Sequence, residues 1–490
     1  MLSLLLLPAL LHAETVIVLD NEGIEEPEPE APDRSVPPAV VPPEALELPV
    51  PTRHEIRPGV VVEHLQVPGV RKVNVFMTFH HGSVALCGAP TPACSMLSQL
   101  WDVAGEDTDA TALESEMDRL DGSISSWVAY YDAGFELSIP RDGLETGLER
   151  MAELLYRPAF PKADRKRTSK EMLDWYTIEA PNDMGTLSSL ASLYANFPAD
   201  SHRGTRPDPG AYKKVSTSDL RALHETLLTT APVTVQVVGD IAWEDIEADL
   251  QPLLAGIGAD APRAERPAFT PLSSSHVVAV HMPGQEQASV SASMAAPLSY
   301  ADDHIEMRAV NFGLGGAFNS RLNANLREEK GWTYGIYSRY NHTRSYGFWG
   351  TSVDVEAKNV AATATEIRAE IDRVAADGVT AEEIASSWLS TITSWNRRLE
   401  TDTSAANFYQ SLIRYDNSVD QLAARNAASK ALTPEQSQAA AARWFAPEAP
   451  VLWVVVGDRS LIEAQVEQLG PPVTWLTAEQ TVMGDFALPR

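Results

Sequence analysis

From Arg53 onward, apolar and polar positions recur with two periods. "GVVVEHLQV" (59–67) and "KVNVFMTFHHGSV" (72–84) run apolar or alternate, as strands do. "DATALESEMDRLDG" (109–122) has helical spacing, with Asp109 as the expected cap and Gly122 at the end. "ISSWVAYYDAGFELSIP" (124–140) reads as two strands around "YDAG". "GLETGLERMAELLYRP" (143–158) reads as an amphipathic helix stopped by Pro158, and further helices are expected over 164–178 and 216–228.

The pattern then repeats. "PVTVQVVGD" closes on Asp240 and "PVLWVVVGD" closes on Asp458, 218 positions later, and an acidic helical segment follows each. "VNVFMTFHHGS" from Val73 has its counterpart in "ASVSASMAAPLS" from Ala288. The expected fold is α+β: two homologous α/β sandwich halves of about 210 residues each. They span 53–262 and 263–490, joined within the Pro- and Ser-rich segment 258–275.

Composition adds three constraints. The 490-residue chain carries a formal net charge of −29 and no long run of Lys and Arg, which argues against nucleic acid as a partner. Residues 1–13 hold a short apolar block, too short to span a bilayer, that fits a secretory signal; 14–52 follow as an acidic, Pro-rich linker. Export is therefore expected, with no transmembrane span. Cys87 and Cys94 are the only cysteines, and both a disulfide and two free thiols stay open.

Candidate chemistry is sparse. None of the 11 histidines pairs with another four residues away on a predicted helix. His80 and His81 are adjacent on an expected strand and so point to opposite faces. "GLGGAF" (313–318) lacks the last glycine of a dinucleotide fingerprint, Phe318 standing there; a tight turn with close backbone approach is the simpler reading, a backbone-lined peptide path the alternative. "FNSRLNANLREEKGWTYGIYSRY" (318–340) reads as a helix capped by Asn319 or Ser320 and ended at Gly331, followed by an alternating strand. This puts Arg327 on the last helical turns and Tyr334 at the strand's start. A guanidinium fork and a phenol can bind carbonyl oxygens or an oxyanion. From spacing alone, an ion-pairing arginine and a half-buried tyrosine explain the motif as well.

"NSRLNANLREEKGWTYGIYS" (319–338) resembles the second-half motif of the insulinase (pitrilysin) family of zinc peptidases, and the two "VVGD" strand ends match that family's halves. The resemblance covers roughly Arg53 to Gly470. It implies a clamshell of two halves. It also implies an H-x-x-E-H helix in the first half, whose histidines bind zinc and whose glutamate is the general base. Counted back from Gly105, the histidine positions hold Met96 and Leu100, and the base position holds Gln99. None of these can do that chemistry, and Glu171, near the third ligand position, cannot hold zinc alone. Residues 93–107 instead offer Met96, Leu97, Leu100, Trp101 and Val103 as an apolar helix face.

The resemblance thus implies a non-catalytic, substrate-binding subunit of a heterodimeric metallopeptidase, exported to a periplasm. Arg327 and Tyr334 are the expected substrate-binding residues. This chain is expected to hold no metal or other cofactor; zinc is expected on an H-x-x-E-H-bearing partner, and the substrates are peptides. The alternative is a structural or binding protein that keeps the fold without peptidase activity.

Overall fold

A computed structural model describes residues 48–267, 269–299, 301–415 and 417–490. The signal and most of the linker expected over 1–52 lie outside the described residues. Of the remainder, Leu48 packs against the apolar cluster that includes Ala406 and Tyr409, and the Pro49 carbonyl accepts a hydrogen bond from the Tyr409 hydroxyl at 3.0 Å.

Twelve strands form two six-stranded sheets. The first contains β1 (Thr52–Arg57), β2 (Val60–Gln66), β3 (Lys72–Phe79), β4 (Ser123–Val128), β5 (Ala133–Pro140) and β6 (Val233–Gly239), in the order β1-β2-β6-β3-β5-β4. The second contains β7 (His276–His281), β8 (Gln287–Ala295), β9 (Tyr337–His342), β10 (Gly347–Glu356), β11 (Leu452–Gly457) and β12 (Val473–Thr477), in the order β12-β7-β11-β8-β10-β9. The orders superimpose, β6 on β11 and β3 on β8, as the repeat requires. One difference falls at the outer edge: β1 runs antiparallel to β2, whereas β12 runs parallel to β7.

The repeated Gly-Asp has one structural role in both halves. Asp240 Oδ2 accepts the backbone N–H of Gly69 at 2.9 Å, and Asp458 Oδ2 accepts that of Gly284 at 2.7 Å. Both glycines turn with positive φ, +84° and +76°, where a side chain would be strained. The aspartate at the end of each central strand thus ties down the turn between two neighbouring strands.

β11 reads as a continuous apolar run, and β6 is buried along its whole length although it carries Thr234 and Gln236, because both of their faces are covered. In the first half, Val75, Met77, Phe135, Leu137 and Val235 form a core with helices that include Pro92–Leu100, Leu144–Tyr156 and Thr217–Thr230. On the opposite face, Leu65, Phe76 and Val238 meet Ala406, Tyr409 and Leu412 of the second-half helix Asp402–Arg414. The second sheet mirrors this. Val278, Val280, Val454 and Val456 pack against Leu187, Ala191 and Ala195 of the first-half helix Met184–Asn196. Each half therefore lends a helix to the other's sheet. Ser188–Ser291 (2.8 Å) and Asn196–Ser293 (3.1 Å) add hydrogen bonds across this contact.

Two local expectations need correction. The strand expected through His80 and His81 stops at Phe79, and a short helix, Ser83–Cys87, follows. Gly82 has no room there for a β-carbon, which would sit 2.4 Å from the Ala129 carbonyl oxygen. The two imidazoles still point apart, His80 to the Thr234 hydroxyl and His81 to the Pro262 carbonyl. The strand expected from Trp332 begins only at Tyr337, so Tyr334 stands in the preceding loop. Cys87 and Cys94 form a disulfide, with Cα atoms 6.8 Å apart.

Candidate functional site

The helix over residues 93–107 is shorter than its apolar pattern. Thr91 caps it by accepting the Cys94 N–H, Pro92 opens it, and it ends at Leu100. Met96, Leu97 and Leu100 are at most 1% exposed and lie in the first-half core. Trp101 follows them inward, its ring 4.5 Å from that of Phe135 and 5.6 Å from that of His224. Gln99 faces outward, and its amide nitrogen lies 3.4 Å from the Met172 sulfur on the helix Lys162–Asp174. Glu171, next to Met172, is exposed.

These residues do not fit zinc. A catalytic zinc takes three protein ligands of nitrogen, oxygen or thiolate type. Here two positions carry hydrocarbon and thioether buried among other apolar side chains, and Glu171 is the one ionisable group. Among the described residues, no three His, Cys, Asp or Glu side chains are grouped to hold a metal ion.

The same helix closes the sheet edge beside it. β4 is an edge strand with β5 as its one neighbour. Two of its outward N–H groups are already taken: Ser126 N donates to Asp102 Oδ2 at 2.7 Å and Val128 N to Ser98 Oγ at 3.0 Å. Burial raises the pKa of Asp102, against the lowering effect of the Ser126 N–H. An extended peptide adding to a sheet needs such free edge groups. Nothing in the sequence pattern marked Ser98 and Asp102, whose partners are more than twenty residues away. Gly105, the reference point of the alignment, is fixed by packing: a β-carbon there would sit 2.1 Å from Glu153 Oε1. That carboxylate accepts the N–H groups of Asp107 and Thr108, each at 2.8 Å.

The second-half motif is built differently. Its helix begins at Arg321, paired through both carboxylate oxygens with Glu383, and widens into π-type turns over Ala324–Glu329. Such widened turns are frequent at functional sites. Leu322 and Leu326 are fully buried on one face, and Asn325 donates to both Glu366 and Glu370. Gly331 ends the helix with φ +65°. Beyond it, Trp332 packs against the core, and the buried Ile336 donates its N–H to Asn323 Oδ1 at 3.0 Å. With Trp332 and Ile336 held inward, Tyr334 between them is fully exposed. It is not the half-buried residue that spacing alone allowed.

The Arg327 guanidinium lies over the Phe318 ring, 4.3 Å from its centre, and also pairs with Glu328 at 3.3 Å. Phe318 is itself 62% exposed. The sequence reading counted it as a missing glycine and overlooked its role beneath Arg327; its place just before the motif helix was the available signal. Gly315 and Gly316 precede it for packing reasons, since β-carbons there would come within 2.5 Å of Ser338 Oγ and 3.0 Å of Asn311 Nδ2. This matches the close-approach reading of "GLGGAF". Among the described residues, no hydrogen bond or ring contact joins Arg327 to Tyr334. What the structure brings together is Arg327 and the exposed Phe318; Tyr334 and the 48%-exposed Tyr337 are also turned outward, each on its own.

Comparison with known proteins fits this picture. Residues 214–387, which include the Arg327 motif, match the family described as the peptidase M16 inactive domain. The non-peptidase homolog YmxG of Helicobacter pylori is 24% identical over 264 residues, which are 52% of this chain and 58% of that protein. The fold is shared with a peptidase M16 inactive domain from Pseudomonas fluorescens (TM-score 0.73, 19% identity, 83% of this chain and 98% of the other). It is shared also with the periplasmic protease PqqL from Escherichia coli (TM-score 0.68, 14% identity, 87% of this chain and 49% of the other). The chain thus resembles inactive peptidase M16 proteins over residues 214–387 and shares their fold, with two six-stranded sheets.

Proposed function

We propose that this chain is the non-catalytic, substrate-binding subunit of a heterodimeric insulinase-family zinc peptidase acting on peptides. The observation that carries the reading is an asymmetry between the halves. The vacated helix is refilled as core and caps two N–H groups of its sheet edge, while the second-half motif keeps a rigid frame and exposes Phe318, Tyr334 and Tyr337, with Arg327 partly exposed on the Phe318 ring. Core packing does not require a fully exposed tyrosine, nor an arginine resting on an exposed ring.

In this reading, Arg327 offers its fork to substrate carbonyl or carboxylate oxygens, and the Tyr334 hydroxyl donates to the oxygen that gains charge. A partner bearing H-x-x-E-H supplies zinc and the general base. Export to a periplasm is supported by the disulfide and by the apolar N-terminal block. Among the described residues, no helix is long and apolar enough to cross a membrane.

The test is co-expression with an H-x-x-E-H chain of the same family. The expected result is a stable complex whose peptide hydrolysis is lost with a chelator and needs both chains. Full activity of the partner alone would refute the role. One observation favours the second reading, a binding or structural protein without peptidase activity: the relative from Helicobacter pylori is itself described as a non-peptidase homolog.

A further inference from the structure

A second polar site lies on the second half, away from the vacated helix. The helix Ala381–Arg398 carries Ser387, Ser390, Thr391 and Ser394 at spacings of three, four and seven, so four hydroxyls share one face. That face is turned toward the helix His304–Asn311 and strand β9, where packing ordinarily calls for apolar side chains. Instead the four hydroxyls line a cavity of about 360 Å³ together with Arg308, Tyr340 and His342.

Arg308 is the charged group of this cavity. Its Nη2 donates to Thr391 Oγ1 at 3.3 Å, and no carboxylate pairs with it among the described residues. The charged groups that bear on it are Arg425 and Arg398, both cations. A guanidinium set into a protein without a counter-charge is costly, and a bound anion removes that cost. Among the described residues that line the cavity, Arg308 is the one arginine, lysine or carboxylate.

The other lining groups are neutral or already engaged. The Tyr340 hydroxyl donates to the Pro297 carbonyl at 2.6 Å, and His342 Nδ1 is bonded to the Ser299 hydroxyl at 2.6 Å. Burial first, then the nearby arginines, push His342 down to about 4. The recognising groups are therefore one guanidinium fork and a row of hydroxyls. Together they match an oxyanion, whose several oxygens accept from both kinds of donor.

We propose that the cavity between the helices His304–Asn311 and Ala381–Arg398 is an oxyanion-binding site, with Arg308 as its charge partner and Ser390 and Ser394 as its hydroxyl donors, while Thr391, whose hydroxyl donates to the Ser387 carbonyl, orients Arg308. Two sources share this chemistry: inorganic phosphate, and the terminal carboxylate of a peptide. The site is independent of the Arg327 motif and of any partner chain.

The test is calorimetric titration of the full chain with inorganic phosphate, with a short peptide bearing a free C-terminal carboxylate, and with the same peptide amidated. Saturable binding of phosphate or of the free-carboxylate peptide is expected, with affinity lowered about tenfold or more by Arg308→Met. Phosphate binding alone assigns the inorganic source; peptide binding that amidation abolishes assigns the carboxylate. Should Arg308→Met fail to fold, Arg308→Lys and the double change Ser390→Ala with Ser394→Ala ask the same question, each expected to weaken binding about three-fold or more. No saturable binding of any probe to the unmodified chain, or binding that these changes leave intact, overturns the proposal.

Discussion

The guanidinium of Arg327 lies 4.3 Å from the centre of the Phe318 ring, on a side chain still 31% exposed. The ring holds the cation in a partly exposed position, and a cation–π contact at such a site contributes about 0.5–1 kcal/mol. The neighbouring Glu328 pair, 66% exposed on the carboxylate side, adds little. Arg327 is thus pre-positioned but not consumed by contacts within its own chain.

Tyr334 tests whether exposure here means function. It is fully exposed, so Tyr334→Phe should change stability by less than about 0.5 kcal/mol. In the reconstituted pair, the same change should lower kcat/KM several-fold, with the unfolding midpoint of this chain unmoved. Unchanged turnover would remove the tyrosine from the site.

Leu100 tests the refilled helix. It is fully buried, and Leu100→Ala should destabilise the chain by about 2–5 kcal/mol, read from the urea midpoint. The unmodified chain should give the same midpoint with and without chelator. A midpoint that falls on chelation would mean that a metal supports this chain.

Asp102 tests the closed edge. Asp102→Ala frees the Ser126 N–H, and amide exchange should accelerate at Ser126, with stability lower by about 1–3 kcal/mol. Exchange as slow as in the unmodified chain would show that the edge is protected by something else.

Two buried histidines predict a pH dependence. Burial holds His80 at about 3, with Arg263 and Arg266 adding to the shift; it also holds His304 at about 3, with His342 and Arg308 adding. Both stay neutral in the folded chain while the unfolded chain protonates near 6.5, so stability is lost as pH falls below that value. The slope is about 1.4 kcal/mol per pH unit for each histidine. Urea midpoints at pH 7 and pH 5 should show the fall, and His80→Gln should flatten it. Equal midpoints at the two values would contradict the neutral, buried assignment.

The fold was largely legible because its signals are local. The Gly-Asp repeat marks central strands covered on both faces, and the cap at Asp109 and the helical spacing from 216 mark helix starts. The exchanged helices Met184–Asn196 and Asp402–Arg414 were not legible, since an apolar face does not name the sheet it will cover. That Met96, Gln99 and Leu100 cannot do zinc chemistry was visible in the sequence itself. The second role of this segment was hidden, because the Asp102–Ser126 and Ser98–Val128 bonds join residues with no common periodicity. Tyr334 was misplaced on a strand because "WTYGIYSRY" alternates throughout, while the Asn323–Ile336 bond delays pairing until Tyr337.

The most direct measurement is kcat/KM for peptide hydrolysis by the complex of this chain with an H-x-x-E-H partner, comparing Arg327→Ala with the unmodified chain. The account predicts a loss of about tenfold or more, equivalent to about 1.4 kcal/mol of transition-state binding, with the complex still assembled. An assembled Arg327→Ala complex that hydrolyses peptide at the unmodified rate would contradict it.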